Sequence, residues 1–158
     1  MILAEKHLHI VCLDVPYPVD YGGVFDLFYK IKALSEAGVK IHLHCFEYGR
    51  GQQPVLNQYC EEVHYYERVT PLKSLATSVP YIVASRANDA LLKRLKQDDY
   101  PVLMEGMHCS YFAYSGDLPA NRCFVRLHNV EYEYYRQLSE TSGSMFKKLF
   151  FKRESALL

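Results

Sequence analysis

The chain has 158 residues, 49% hydrophobic and 23% charged, which is enough apolar surface for one covered core but too little length for two, and excludes a disordered chain. Eighteen basic residues balance eighteen acidic ones, so the broad positive field that bulk nucleic-acid binding needs is missing and no nucleic-acid partner is expected. Five scattered cysteines, Cys12, Cys45, Cys60, Cys109 and Cys123, form no C-x-x-C pair and no zinc spacing, and read as reduced core residues.

The first apolar stretch, MILAEKHLHIVCLD, is interrupted by charge and histidine, unlike a secretory signal, and no apolar run reaches membrane-spanning length; a cytoplasmic location is the expectation. Residues 7–13 read as a strand. A Pro-rich turn and Gly22-Gly23 follow, then a helix with Val24, Leu27, Phe28, Ile31 and Leu34 on one face and Gly38 placed to end it. Strands are expected at 40–46 and 62–66. Two helical stretches come next, the first started by Pro71, the second capped by Ser85 with Ala87, Leu91, Leu92 and Leu95 as its apolar face. Strands at 100–104 and 122–127 complete the pattern. Strands alternating with helices at these lengths predict an α/β fold with a doubly wound, mainly parallel, Rossmann-like sheet. Ligands of such sheets bind beyond the carboxyl ends of the strands, which directs attention to the loops near Asp14, Glu105 and His128.

Three constellations fall in those loops. Residues 14–23, DVPYPVDYGG, carry a glycine pair that permits positive φ and close backbone approach, ahead of a helix whose free N–H groups and dipole favour an anion. The alternative is a turn that needs glycine for geometry alone. Neither G-x-G-x-x-G nor G-x-x-x-x-G-K-[ST] is present, which disfavours a dinucleotide oxidoreductase and a P-loop enzyme. Residues 104–108, MEGMH, put Glu105 at a strand mouth, able to accept a sugar hydroxyl or to face a helix dipole, with His108 beside it. Residues 126–131, RLHNVE, offer His128 for substrate and Asn129 for helix capping. His7, His9, His42 and His44 sit two apart on expected neighbouring strands, but with no carboxylate beside them in sequence they read as polar strand-end residues and no metal site is expected.

Taken together, DVPYPVDYGG, VPYIVASRANDALLKRL, YPVLMEGMHCSYF, and RLHNVEYEYYRQL with KKLFFKRESALL resemble, in order, the N-terminal domain of GT-B glycosyltransferases of the large retaining family that includes many bacterial mannosyl- and glucosyltransferases. The resemblance covers nearly the whole chain. It implies that residues 1–158 form a single acceptor-side domain, that a C-terminal donor-binding domain with the family's E-x-x-x-x-x-x-x-E signature lies outside them, and that the parent enzyme moves a sugar from a nucleotide-sugar to a hydroxyl acceptor, a saccharide or lipid-linked saccharide, with retention and without metal or other cofactor. Gly22 and Gly23 match the family's glycine loop, Glu105 lies near its strand-end histidine, and His128 matches its strand-five histidine. Glu105 and His128 are thus the catalytic candidates, with Gly22, Gly23, Tyr17, Tyr21, His108 and Asn129 as substrate contacts. Alone, the fragment is expected to be inactive, and Glu105→Gln in the parent to cost rate rather than stability. The rival reading is a non-catalytic phosphate-binding or protein-interaction module on a flavodoxin-like sheet.

Residues 144–158 are helical by pattern, with Met145, Leu149, Phe150 and Leu157 apolar and Lys147, Lys148, Lys152 and Arg153 basic. No Gly, Asn or Pro ends this helix, so the chain is expected to continue. Phe146, Leu149, Phe150 and Leu157 are too many for a narrow seam. Exposed apolar surface beside the lysines is therefore expected, fit for self-association or for peripheral contact at the inner face of the membrane.

Overall fold

The computed structural model describes residues 5–69 and 78–158. Five strands, β1 (Lys6–Cys12), β2 (Val39–Phe46), β3 (Glu62–Tyr66), β4 (Val102–Glu105) and β5 (Cys123–Arg126), form one sheet in the order β3-β2-β1-β4-β5. Every pairing is parallel, as the doubly wound, Rossmann-like reading requires. The chain steps outward from β1 to β3, then crosses back to β4 and on to β5, so the direction of winding reverses between β1 and β4. That reversal opens a crevice at the carboxyl ends of β1, β4 and β5.

The α-helices among the described residues are α1 (Gly22–Glu36), α2 (Tyr81–Ala84), α3 (Asp89–Leu95), α4 (Tyr111–Tyr114), α5 (Glu131–Thr141) and α6 (Met145–Leu157). Alternation along the strands divides the core. Ile10, Cys12, Ile41, Leu43 and Cys45 pack against Leu27, Phe28 and Ile31 of α1 on one face, while Val11, Phe46, Val102 and Met104 meet Leu91 and Leu95 of α3 on the other. α1 ends at Glu36, with Gly38 at φ +82 just beyond it, a backbone conformation that glycine adopts without a Cβ clash. The five cysteines are free thiols, four of them buried.

One local expectation changes. Ser85 follows the short helix α2 rather than capping α3; the cap of α3 is Asn88, whose side chain accepts from the N–H groups of Ala90 and Leu91. The expected helix start at Pro71 lies outside the described residues.

The histidines also differ from the expectation of strand-end residues. His9 and His44 lie within the strands and are fully buried, and they join a continuous chain: Asp98 Oδ1 to His9 Nε2 at 3.0 Å, His9 Nδ1 to His44 Nε2 at 2.8 Å, and His44 Nδ1 to the Tyr66 hydroxyl at 2.9 Å. His7 bonds His42 at 3.0 Å, and His64 bonds Glu62 at 2.9 Å. Burial costs a polar ring little when each nitrogen is satisfied. The carboxylate that reaches His9 comes from Asp98, 89 positions away, and the one that reaches His42 from Glu62, 20 positions away, so neither showed beside these histidines in sequence.

The hairpin of α5 and α6 closes the chain. Tyr135 meets Phe151 edge to face, and Glu154, fully buried, accepts the Tyr81 N–H at 2.5 Å and so caps α2. Phe146 (87%) and Leu149 (61%) are exposed, while Phe150 and Leu157 are half-buried. The expected exposed apolar surface on this helix is present.

Candidate functional site

The loops after β1, β4 and β5 converge on one cleft of about 540 Å³, lined by Leu13, Asp14, Tyr21, Gly22, Gly23, Asp26, Glu105, His108, Arg126, His128, Asn129 and Glu131 among others. Of the eight candidates, seven line it. Tyr17 does not: its ring packs on Phe28, 5.7 Å between centroids, and joins the α1 side of the core. Its apolar ring gains more from that burial than from solvent.

The glycine pair works differently from the expectation. Gly22 and Gly23 are the first two residues of α1, and neither has positive φ. What they provide is an uncovered helix start. Tyr21, at the cap position, makes no side-chain cap bond, and the first N–H groups of a helix have no partner within it. A Cβ at Gly22 would meet nothing within 4 Å, so the backbone there is open to a ligand. The glycine that does need positive φ is Gly106, at φ +88 directly after Glu105, where a Cβ would lie 3.1 Å from His108 Nδ1 and 3.6 Å from His128 Cδ2. It lets the two histidine loops approach each other.

The loop ahead of α1 is held from outside. Arg50 Nε reaches Asp14 at 3.2 Å, Nη1 donates to the Pro18 carbonyl at 2.8 Å, and Nη2 pairs with Asp20. Its guanidinium lies 5.2 Å from the Tyr21 ring centre, which fixes the aromatic wall of the cleft.

Glu105 forms the floor and is 1% exposed. Its Oε1 lies 2.5 Å from Lys30 Nζ, and its Oε2 lies 3.0 Å from His128 Nε2 and 3.4 Å from Arg126 Nη1. Arg126 also grips Asp26 through both terminal nitrogens, and Lys30 stands 3.5 Å from Asp26. That grip holds the Asp26 carboxyl below its ordinary pKa and raises that of Arg126. Both oxygens of Glu105 are therefore engaged. Rather than facing substrate freely, Glu105 gathers Lys30, Arg126 and His128 around it.

Around this floor, His108 has its Nδ1 buried without a partner; burial, with Arg86 and His128 nearby, pushes its pKa down to about 4, so it is neutral at physiological pH. Arg86, itself 5% exposed, donates to the carbonyls of Ile82 at 2.6 Å and Leu13 at 3.3 Å, tying α2 to the end of β1. Asn129 was expected to cap the helix that follows it, but the cap position of α5 is Val130, without a side-chain bond. Asn129 lines the cleft beside Glu131, whose pKa burial raises.

Lys30, Asp26 and Arg126 were missed in the sequence. The signal was present, because Gly22, Asp26 and Lys30 stand at i, i+4 and i+8 and so share the glycine's face of α1. Asp26, Glu105 and His128 could also hold a metal ion, their ligand atoms lying within 4.8 Å of one another. Lys30 and Arg126 already neutralise both carboxylates, however, and a divalent ion would have to displace them.

These features define a doubly wound α/β domain with a charged cleft at its switch point. The chain is 29% identical over 149 residues to a protein of Klebsiella pneumoniae described as an uncharacterized 44.6 kDa protein in cps region, a match that covers 90% of this chain. The chain spans 38% of the length of that relative. No family model matches the sequence, and no solved structure matches it significantly. No helix among the described residues is long and apolar enough to cross a membrane.

Proposed function

We propose that the chain is the acceptor-side, N-terminal domain of a GT-B glycosyltransferase, which transfers a sugar from a nucleotide-sugar to a hydroxyl acceptor with retention, and that a second domain beyond this sequence grips most of the donor. One observation carries the reading: the open start of α1 at Gly22 and Gly23 and the Glu105–His128–Arg126 cluster face the same cleft. A helix start suits a phosphate. Beside it, a histidine oriented by a carboxylate suits a hydroxyl. Tyr21, His108 and Asn129 complete the acceptor side. The relative's description places it in a cps region; read as a capsular polysaccharide locus, that setting calls for sugar transfer.

The test uses the longer polypeptide, with UDP-glucose and GDP-mannose as donor probes and release of the nucleoside diphosphate as the readout. His128→Ala is expected to reduce turnover by about a hundredfold or more, as for loss of a positioned catalytic group, while the 158-residue chain alone stays inactive because the second domain supplies most of the groups that stabilise the departing nucleoside diphosphate. Sugar transfer by the isolated chain, or unchanged turnover in His128→Ala, would overturn the assignment.

A further inference from the structure

The outer face of α6 has a composition that the cleft does not explain. Phe146 is the most exposed large apolar side chain among the described residues, and Met145 and Leu149, one turn apart, are exposed beside it. Lys148 and Lys152, also one turn apart, run alongside that stripe, and Lys147 is exposed as well. The one acidic residue of α6, Glu154, is fully buried and committed to the start of α2. The solvent face of this helix is therefore apolar and positive, in a chain whose total charge is zero.

We propose that α6 docks the domain on an anionic lipid surface, lying flat with Met145, Phe146 and Leu149 sunk among the acyl chains and the lysines at the headgroups. Charge complementarity selects this occupant. Lysine is depleted in the cores of protein interfaces, and three side chains are too few for the core of a stable one. On a bilayer the same lysines lay their stems along the apolar stripe and keep their ammonium groups at the phosphates. The stripe lies at the turn end of the α5–α6 hairpin, where Ser139 Oγ donates to the Lys148 carbonyl at 3.2 Å, and the cleft residue Glu131 stands at the other end of α5. The docking itself goes beyond the proposed transfer and does not depend on it.

The experiment is sedimentation of the 158-residue chain with vesicles of phosphatidylcholine, with and without phosphatidylglycerol, at low and high salt. Binding is expected only with phosphatidylglycerol, and weaker in high salt. Phe146→Ser with Leu149→Ser is expected to weaken binding at least about tenfold. Replacing Lys147, Lys148 and Lys152 by Gln should weaken it on the order of a hundredfold. All five side chains are exposed, so circular dichroism should report unchanged folding. Absence of vesicle binding, equal binding to pure phosphatidylcholine, or folded variants that bind as tightly as the parent would each overturn the proposal. So would a dimer, seen by analytical ultracentrifugation, that the Phe146/Leu149 variant abolishes while vesicles fail to compete for the same face, which would assign the face to a second copy of the chain.

Discussion

Replacing Glu105 by Gln removes the one buried charge from a cluster of five groups without changing its shape. Read from sequence, this substitution should cost rate and spare the fold. The structure reverses the second half of that expectation. Glu105 is 1% exposed and lies 2.5 Å from Lys30, and a neutral amide there leaves the ammonium without its counter-charge. Breaking a fully buried pair costs about 3–5 kcal/mol. The side chains of Lys30 and Arg126 retain 23% and 40% of their exposure, and each has Asp26 in reach, so part of that cost is recovered by water and by the second carboxylate. A loss of about 2–3 kcal/mol remains, a fall in Tm of roughly 4–12 °C for a domain of this size. Urea unfolding of the 158-residue chain, followed by circular dichroism, measures it. Lys30→Met and the double variant close a cycle, in which removing both partners should cost at least about 1 kcal/mol less than the sum of the single losses. An unchanged midpoint in Glu105→Gln, or strict additivity in the cycle, would refute the ion-pair account of the cleft floor.

Acid should destabilise the domain through its buried histidines. Burial lowers the pKa of His9 and His44, and that of His108 falls from 6.5 to about 4; the unfolded chain takes up these protons first, so stability present above about pH 6.5 is lost as pH falls toward 4, by at most about 3 kcal/mol from His108. Urea midpoints that stay level from neutral pH to about pH 5 would contradict this. Gly106→Ala should cost about 2 kcal/mol, because φ +88 and a Cβ only 3.1 Å from His108 Nδ1 are both unfavourable; a Tm within about 1 °C of the parent would show that the loop relaxes freely. Asp26→Asn frees Arg126 from its carboxylate grip, and UDP or GDP binding, measured by calorimetry, should tighten about three- to tenfold; weaker binding would mean that Asp26 itself serves the ligand.

The sheet was legible because its signals are local. Each strand is a short apolar run, and α1 shows its periodicity openly in Val24, Leu27, Phe28 and Ile31. The three loops followed from topology, since a doubly wound sheet brings the ends of β1, β4 and β5 to one edge. What stayed hidden depends on contacts between distant residues. Asp98 reaches His9 from 89 positions away and Arg126 reaches Asp26 from 100, so the histidine chain and the cleft floor have no sequence signature of their own. Tyr17 was misread for the same reason, because a tyrosine in a Pro-rich loop looks available until Phe28 is known to lie beneath it. Asn88 displaced Ser85 as a cap because both residue types fit the position, and only the backbone after Ala84 decides between them.

The charge balance of the cleft bears on how it can select a ligand. Asp26 and Glu105 are matched by Lys30 and Arg126, so the floor carries no net charge to draw an anion from a distance, consistent with the neutrality of the whole chain. Attraction must then act at short range, through the open start of α1, whose N–H groups reach only the first shell around them. Arg126 and His128 line the same cleft as that helix start, so on the proposed function an anion there would compete with Asp26 for Arg126, whereas a neutral hydroxyl would leave that pair intact. On the proposed function, the cleft would thus offer two kinds of contact, the helix start for negative charge and the His128 imidazole for a hydroxyl. The ion pairs between them keep both sites formed before any ligand arrives.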